Sequence, residues 1–319
     1  MMWRLILFIF SSITIGLLPV NAHTHRKDSE FLRAMDSGAL TKIIISTSDD
    51  DNVPISNVSV RVLMGMEYRE DAYFINGKTD KDGKFVIEGI TKGNEIEITA
   101  TKDGYYRSFK KLCYIRMGEE YEVKDGKWQP WGLKISLPLR EKRNQASLIR
   151  KYGGVDMPTT NQWFGFDMKI RDWVAPGHAG IVPDFEVYLT WDGKPIATSA
   201  QTDLLVRFIE DGAGYYLTDK TVESDFKGVY NANTNTIFKK EFTCSTFRKN
   251  GRFTQIGIPS DKIMIIRSRC KVDKAKNIIE ANYSSATKFF IEGGWHGKAI
   301  MDFSYYFNPI PNNTNLEAK

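Results

Sequence analysis

Histidine and cysteine are scarce in this sequence, at four and three residues in a chain of 319, and prolines number only 11. Four histidines leave little material for acid–base networks. No G-x-S-x-G, H-E-x-x-H or Cys–His signature accompanies them, so an enzyme built on those chemistries is disfavoured. The cysteines, Cys113, Cys244 and Cys270, lack the ligand spacing of a zinc site. A basic stripe is missing too. Lysine and arginine number 44 against 39 aspartate and glutamate, a net charge of +5. The short clusters Lys110-Lys111 and Arg140 to Arg143 read as solvated faces or linkers, which argues against a nucleic-acid partner. Beyond residue 22 no apolar run approaches the ~20 residues of a membrane-spanning helix. What is present is ordinary globular material. With 42% hydrophobic, 13% aromatic and 26% charged residues, the chain can bury a core and supply about two domains at roughly 100–200 residues each.

Met1 to Ala22 has the pattern of a secretory signal. Arg4 supplies the positive start, Leu5 to Leu18 the apolar stretch, and Val20-Asn21-Ala22 the small residues before a cleavage site. Ser11, Ser12, Thr14, Gly16 and Pro19 interrupt the run, which argues against an uncleaved membrane anchor. No cysteine follows to carry a bacterial lipid anchor. The expectation is a protein exported to the periplasm, cell surface or exterior, without an integral membrane span. Cleavage would expose His23-Thr24-His25. An amine, two backbone amides and the third-position imidazole suit square-planar Cu(II) or Ni(II), but a frayed terminus is the simpler reading. No metal and no cofactor is assigned.

Residues 23–39 form a polar leader with a helical turn around Ser29 to Met35, closed by Asp36-Ser37-Gly38. From Lys42 the pattern changes to period two. Val58, Val60 and Val62 alternate with Ser59 and Arg61, and Ile96, Ile98 and Ala100 with Glu97 and Thr99. Asn76-Gly77, Asp82-Gly83, Asp103-Gly104 and Asp125-Gly126 supply turns. Similar alternation recurs after the charged connector, most cleanly at Phe185, Val187, Leu189 and Trp191, and a further strand is expected over Thr236 to Cys244. The fold class is therefore all-β, tandem antiparallel β-sandwich domains after a cleaved signal peptide. The expected divisions are a signal peptide (1–22), a leader (23–39), a first sandwich (40–140), a linker (141–154) and a second β-rich domain with an extended C-terminal tail (155–319). If a disulfide forms, Cys244 and Cys270 are the expected pair, since both fall at strand ends in one domain.

Four landmarks stand in order between residues 41 and 140: Val53-Pro54-Ile55-Ser56-Asn57-Val58, Thr79-Asp80-Lys81-Asp82-Gly83, Ile90-Thr91-Lys92-Gly93-Asn94 and Lys102-Asp103-Gly104-Tyr105. This stretch resembles the carboxypeptidase regulatory-like, transthyretin-like β-sandwich domain. The whole chain loosely resembles exported bacterial proteins that join such a sandwich to a second β domain. The resemblance implies a stalk, spacer or binding platform, and carries no activity or functional residue.

Among candidate sites, Gly293-Gly294-Trp295-His296-Gly297-Lys298 lacks the residues of a phosphate loop and reads as a turn. Asp49-Asp50-Asp51 reads as an acidic turn, without the spaced ligands of a calcium loop. Trp173, Trp295 and His296 are the candidate ligand-binding residues, because tryptophan faces beside polar groups stack on sugars. In alternating strands, though, aromatics are more often core. Asp184 and Glu186 share a strand face and are the nearest approach to a catalytic carboxylate pair. The expectation is a non-enzymatic binding or scaffold protein, with a glycan or a protein as partner. The alternative is a carbohydrate-active enzyme with its cleft in the C-terminal domain.

Overall fold

Alternation decides which residues face inward. In Ala39–Ser48 the buried residues are Ala39, Thr41, Ile43, Ile45 and Thr47, the period-two pattern of a strand with one face on a core. A computed structural model describes residues 29–319 apart from 66–71, 94, 115–121, 192, 194–200, 250–251 and 296–297. The protein is all-β, with 55% strand and 4% helix. The expected signal peptide, His23 and His25 lie outside the described residues.

The helix α1 (Ser29–Ser37) ends where Gly38, at φ +89°, donates its N–H to Ala34 O at 2.9 Å. Nine strands follow in the N-terminal half: β1 (Ala39–Ser48), β2 (Ser59–Met64), β3 (Tyr73–Lys78), β4 (Lys84–Thr91), β5 (Ile96–Thr101), β6 (Ser108–Leu112), β7 (Val123–Lys124), β8 (Lys127–Trp128) and β9 (Leu133–Pro138). One sheet runs β4-β1-β8-β7, with β9 also on β1, and the other β3-β2-β5-β6. Most ladders are antiparallel, as expected, but β1 pairs in parallel with β8 at Leu40↔Lys127 and with β9 from Ile43↔Leu133 to Ser48↔Pro138. Parallel neighbours need a long crossover, and the chain between β1 and β9 supplies it by visiting the opposite sheet. The inward faces share one cluster that includes Ile43, Val60, Ile98 and Trp128. Trp128 stacks on Tyr114 at 5.1 Å, meets Phe31 of α1 edge-on at 5.7 Å, and donates its indole N–H to Thr91 O at 2.8 Å. Gly93, at φ +72°, is needed beside it, because a Cβ there would lie 2.4 Å from the Trp128 ring.

The C-terminal half contributes β10 (Ile149–Lys151), β11 (Gly154–Asp156), β12 (Trp163–Asp167), β13 (Asp172–Val174), β14 (Phe185–Trp191), β15 (Gln201–Arg207), β16 (Gly214–Asp219), β17 (Glu241–Lys249), β18 (Arg252–Ile256), β19 (Lys262–Val272), β20 (Ile278–Trp295) and β21 (Lys298–Phe307). They form two six-stranded sheets, β13-β12-β14-β15-β17-β18 and β10-β21-β20-β19-β16, with β11 also on β21. Phe185, Val187 and Leu204 of the first sheet pack on Ile266, Phe289 and Phe303 of the second. The connector is shorter than expected, since β10 and β11 already pair with β21. The strand expected from Thr236 starts at Glu241. Cys244 is buried and Cys270 half-buried, and both thiols are free, so the conditional disulfide does not form.

Alternation along β19 puts Met264 and Ile266 in the core between the sheets and Ile263 and Ile265 on the opposite face. There Ala232 and Leu316 cover part of the sheet. None of the described hydrophobic clusters holds buried residues from both halves, and polar groups join them, together with the Tyr106 and Phe226 rings at 5.1 Å. The edge of β6 continues onto residues 223–225: Phe109 N donates to Glu223 O at 2.7 Å and Asp225 N to Arg107 O at 2.9 Å. Arg140 corrects the reading of its cluster as a solvated face. Its side chain is 7% exposed, lies between the rings of Phe226 (4.5 Å) and Tyr230 (4.7 Å), donates to Phe226 O and Gly228 O, and pairs with Asp50 at 3.0 Å. The C-terminal tail is docked: the buried Glu317 carboxylate accepts the N–H groups of Arg143 (2.9 Å) and Asn144 (2.7 Å) and the Tyr106 hydroxyl (3.0 Å).

Candidate functional site

Beyond the patch covered by Leu316, the outer face of the sheet containing β19, β20 and β21 lines a cavity of about 770 Å³. The strand alternation that buries Ala286, Phe289, Phe303 and Tyr305 turns Ser285, Lys288, Ser304 and Tyr306 toward it. Tyr106 and Gln145 close one side, and the segment from Asp225 to Gly228 another. The groove is thus framed by the same segments that join the two halves.

Nearly all of its described polar side chains can donate a hydrogen bond, and its hydroxyls and carboxamides can accept one as well. Lys220 donates to Ser260 O at 3.3 Å, and Lys288 pairs with Asp302 at 2.6 Å. Burial, then the neighbouring Lys227 ammonium, hold the Lys220 amine below its ordinary pKa. The Tyr152 and Tyr306 rings meet edge-on at 6.0 Å with their hydroxyls hydrogen-bonded to each other. Burial and then the Tyr152 hydroxyl push Tyr306 up to about 12. Burial also pushes Tyr106 to about 12, with Gln145 pulling it down and Glu317 pushing it up. Both phenols therefore stay protonated at neutral pH. Among the described lining residues Asp225 is the only acidic side chain, and Arg107 grips it with Nε at 3.1 Å and Nη2 at 3.2 Å. Ammonium, hydroxyl and carboxamide groups beside aromatic edges suit a hydroxyl-rich ligand. One carboxylate already held by an arginine does not make an acid–base pair.

Of the residues singled out from the sequence, Trp173 lies in the core. Trp173 is 2% exposed, meets Phe166 edge-on at 5.1 Å and donates its indole N–H to Asp156 O at 2.8 Å. Alternation in β13 points it into the sandwich, so it is a core residue and not a stacking platform. Trp295 ends β20 opposite Lys298, and His296 lies outside the described residues. Trp173 is not among the described lining residues of the groove. Asp184 and Glu186 each belong to a separate arginine. Glu186 pairs with Arg207 at 2.7 Å, while Asp184 is buried and accepts from Ser268, Met168 N and Arg269. Arg269, at φ +52°, also holds Asp167 at 2.6 Å. Burial pushes the Asp167 carboxyl up, but N–H groups of Ile170, Val182 and Ile181 and the Arg269 charge outweigh it and leave its pKa lowered. With every carboxylate oxygen occupied, this knot ties β12 and β14 to β19 and offers no free acid. Asp49 caps its own turn by accepting Asp51 N and Val53 N, and Asp50 holds Arg140. Among the described residues no group of three His, Cys, Asp or Glu is placed to hold a metal ion.

The groove escaped sequence reading because Ser285, Lys288, Ser304 and Tyr306 look like ordinary outward residues of half-buried strands. Only the strand register puts them together. No family model matches the chain, and no curated protein matches it. Among solved structures it has similarity to 3-chlorocatechol 1,2-dioxygenase from Rhodococcus opacus 1CP, at 12% identity over 33% of this chain and 61% of that one, with a TM-score of 0.27. Chlorocatechol 1,2-dioxygenase from Pseudomonas putida matches at 9% identity over 33% and 61%, with a TM-score of 0.26. A 9R-lipoxygenase from Cyanothece PCC8801 matches at 8% identity over 78% and 42%, with a TM-score of 0.19. The aligned part spans 61% of the length of the two dioxygenases, and similarities at this level carry no argument about activity.

Proposed function

We propose that the protein is an exported, non-enzymatic binding module that holds a polysaccharide in the groove on its second C-terminal sheet. The signal-like pattern of Met1 to Ala22 supports export. The N-terminal half is read as a transthyretin-like platform. That reading is supported by its two facing sheets and by Asp80, whose carboxylate accepts Asp82 N and Lys84 N in the tight turn of the second landmark.

The observation that carries the binding reading is the groove's chemistry: hydroxyl and amine donors, two tyrosines at one end, and a single acidic side chain bound to Arg107. A glycosidase needs two carboxylates at a set separation across the sugar, and Asp225 has no such partner among the described lining residues. The test is binding of the mature protein to a panel of polysaccharides, followed by an assay for released reducing ends. Retention of a glycan with no release is the expected result. Release would establish the enzyme, and no binding to any glycan would remove the reading.

A further inference from the structure

A second cavity of about 810 Å³ adjoins the groove and shares Tyr106, Gln145 and Asp225 with it. It opens on the N-terminal half, where Lys78, Lys102, Arg107 and Lys142 line it. The first cavity contributes Lys220, Lys227, Lys288 and Lys319. Against these eight basic side chains stand two acidic ones, Asp103 and Asp225, and Asp225 is already held by Arg107. Lys288 is paired with Asp302. Among the described residues, Lys78, Lys102, Lys142, Lys220 and Lys227 have no carboxylate partner. Lys102 reaches Ser56 O at 2.9 Å, Lys142 stands 5.7 Å from the Tyr106 ring centre, and Lys227 stands 5.9 Å from that of Phe109. Such a run of uncompensated cations along a concave path that crosses both halves focuses a positive potential on whatever lies in it.

Resting on the binding reading above, we infer that the ligand is a linear acidic polysaccharide lying through both cavities and across the junction. The hydroxyls of Ser59 and Thr101 and the carboxamide of Asn57 in the second cavity have counterparts in the hydroxyls of Ser260, Ser285 and Thr287 and the carboxamide of Gln255 in the first, polar partners for sugar hydroxyls in both. The cations between them match charges repeated along the polymer. After burial, the Lys227 charge holds the Lys220 pKa down, a repulsion that a nearby anion would offset.

The test uses the mature full-length protein, fluorescent polygalacturonate and dextran sulfate as carboxylate and sulfate probes, and uncharged dextran and a single-stranded DNA as controls. Two double variants, Lys220→Gln/Lys227→Gln and Lys102→Gln/Lys142→Gln, change surface groups outside both cores. At least one acidic polymer is expected to bind with an affinity that falls as salt rises, and which one binds identifies the anion. Each double variant is expected to weaken long polymer roughly three- to tenfold, the loss of two charge contacts in an open groove. Acidic oligosaccharides too short to fill both cavities should respond to one variant and not the other. Dextran binding that neither variant weakens would overturn the acidic ligand and leave the binding reading standing. DNA bound as tightly as the acidic glycan would overturn it in favour of general polyanion exchange. No binding to any glycan would defeat both readings, and long polymer sensitive to only one variant would refute the continuous path.

Discussion

Replacing Arg140 with methionine tests the claim that buried polar contacts hold the halves together. The methionine keeps much of the aliphatic bulk between Phe226 and Tyr230 but removes the guanidinium, which donates to two carbonyl oxygens and to Asp50. The arginine side chain is 7% exposed, so the carbonyls of Phe226 and Gly228 would lose their charged donor in a place water hardly reaches. Each such loss costs about 1–3 kcal/mol. Asp50 is 32% exposed and can return to solvent, so its pair adds at most about 1 kcal/mol. The stacking of the cation on two rings adds a comparable amount. A loss of about 3–5 kcal/mol is expected, the range for breaking a buried charged contact on one side only. Urea unfolding followed by tryptophan fluorescence reads it, with Trp128 reporting the N-terminal core and Trp173 the C-terminal one. The control is Arg107→Ala, whose pair with Asp225 is 57% and 42% exposed, for which less than about 1 kcal/mol is expected. If Arg140→Met lost no more than the control, the rivet at the junction would be refuted.

Trp173→Ala is expected to cost about 3–5 kcal/mol in urea unfolding followed by far-UV circular dichroism, while leaving the affinity of the groove unchanged. A loss of binding without loss of stability would reinstate it as a ligand residue. Asp167 has a folded pKa below its ordinary 3.8, so it stabilises the fold above that value and the contribution is lost as pH falls through the folded pKa. Asp167→Asn should lower stability by about 3 kcal/mol at neutral pH and flatten the acid limb of a stability–pH profile, and an unchanged acid limb would contradict the assignment. Burial pushes the Cys244 thiol up to about 12, so it should resist alkylation at neutral pH until urea exposes it. Mass spectrometry of the native, alkylated protein checks this, and modification of Cys244 as rapid as in urea would disprove its burial.

The all-β class was legible because it rests on local alternation, which a strand with one buried face imposes on every second residue. Val58, Val60 and Val62 are all buried, as their spacing implies. The parallel pairing of β1 with β9 was not legible, because a ladder leaves no mark of its direction on either strand. Arg140 shows the same limit for charge. In sequence it is one of a cluster that reads as a solvated linker, and only the arrival of Phe226, Gly228 and Tyr230, some 90 positions later, makes it a buried contact.

The path of cations illustrates most directly why a site can be absent from a sequence and present in a fold. Lys78, Lys102 and Lys142 come from one half, Lys220 and Lys227 from the other, and only the last two stand within ten residues of each other. A scan for charge runs finds an evenly mixed chain with a net charge of only +5. What gathers the charges is the junction itself: Arg140, the segment from Glu223 to Gly228, and Glu317 of the docked tail bring the two cavities edge to edge at Tyr106. A polymer lying across that seam would bind the joined arrangement more tightly than the separated halves. By linkage it must then stabilise the junction, by at most about 2.7 kcal/mol at a hundredfold excess over its Kd, the limit reached only if the separated halves bind none of it. Arg140→Met should therefore weaken long polymer more than short oligosaccharide, although Arg140 lines neither cavity. Equal weakening of both would mean that each cavity acts alone.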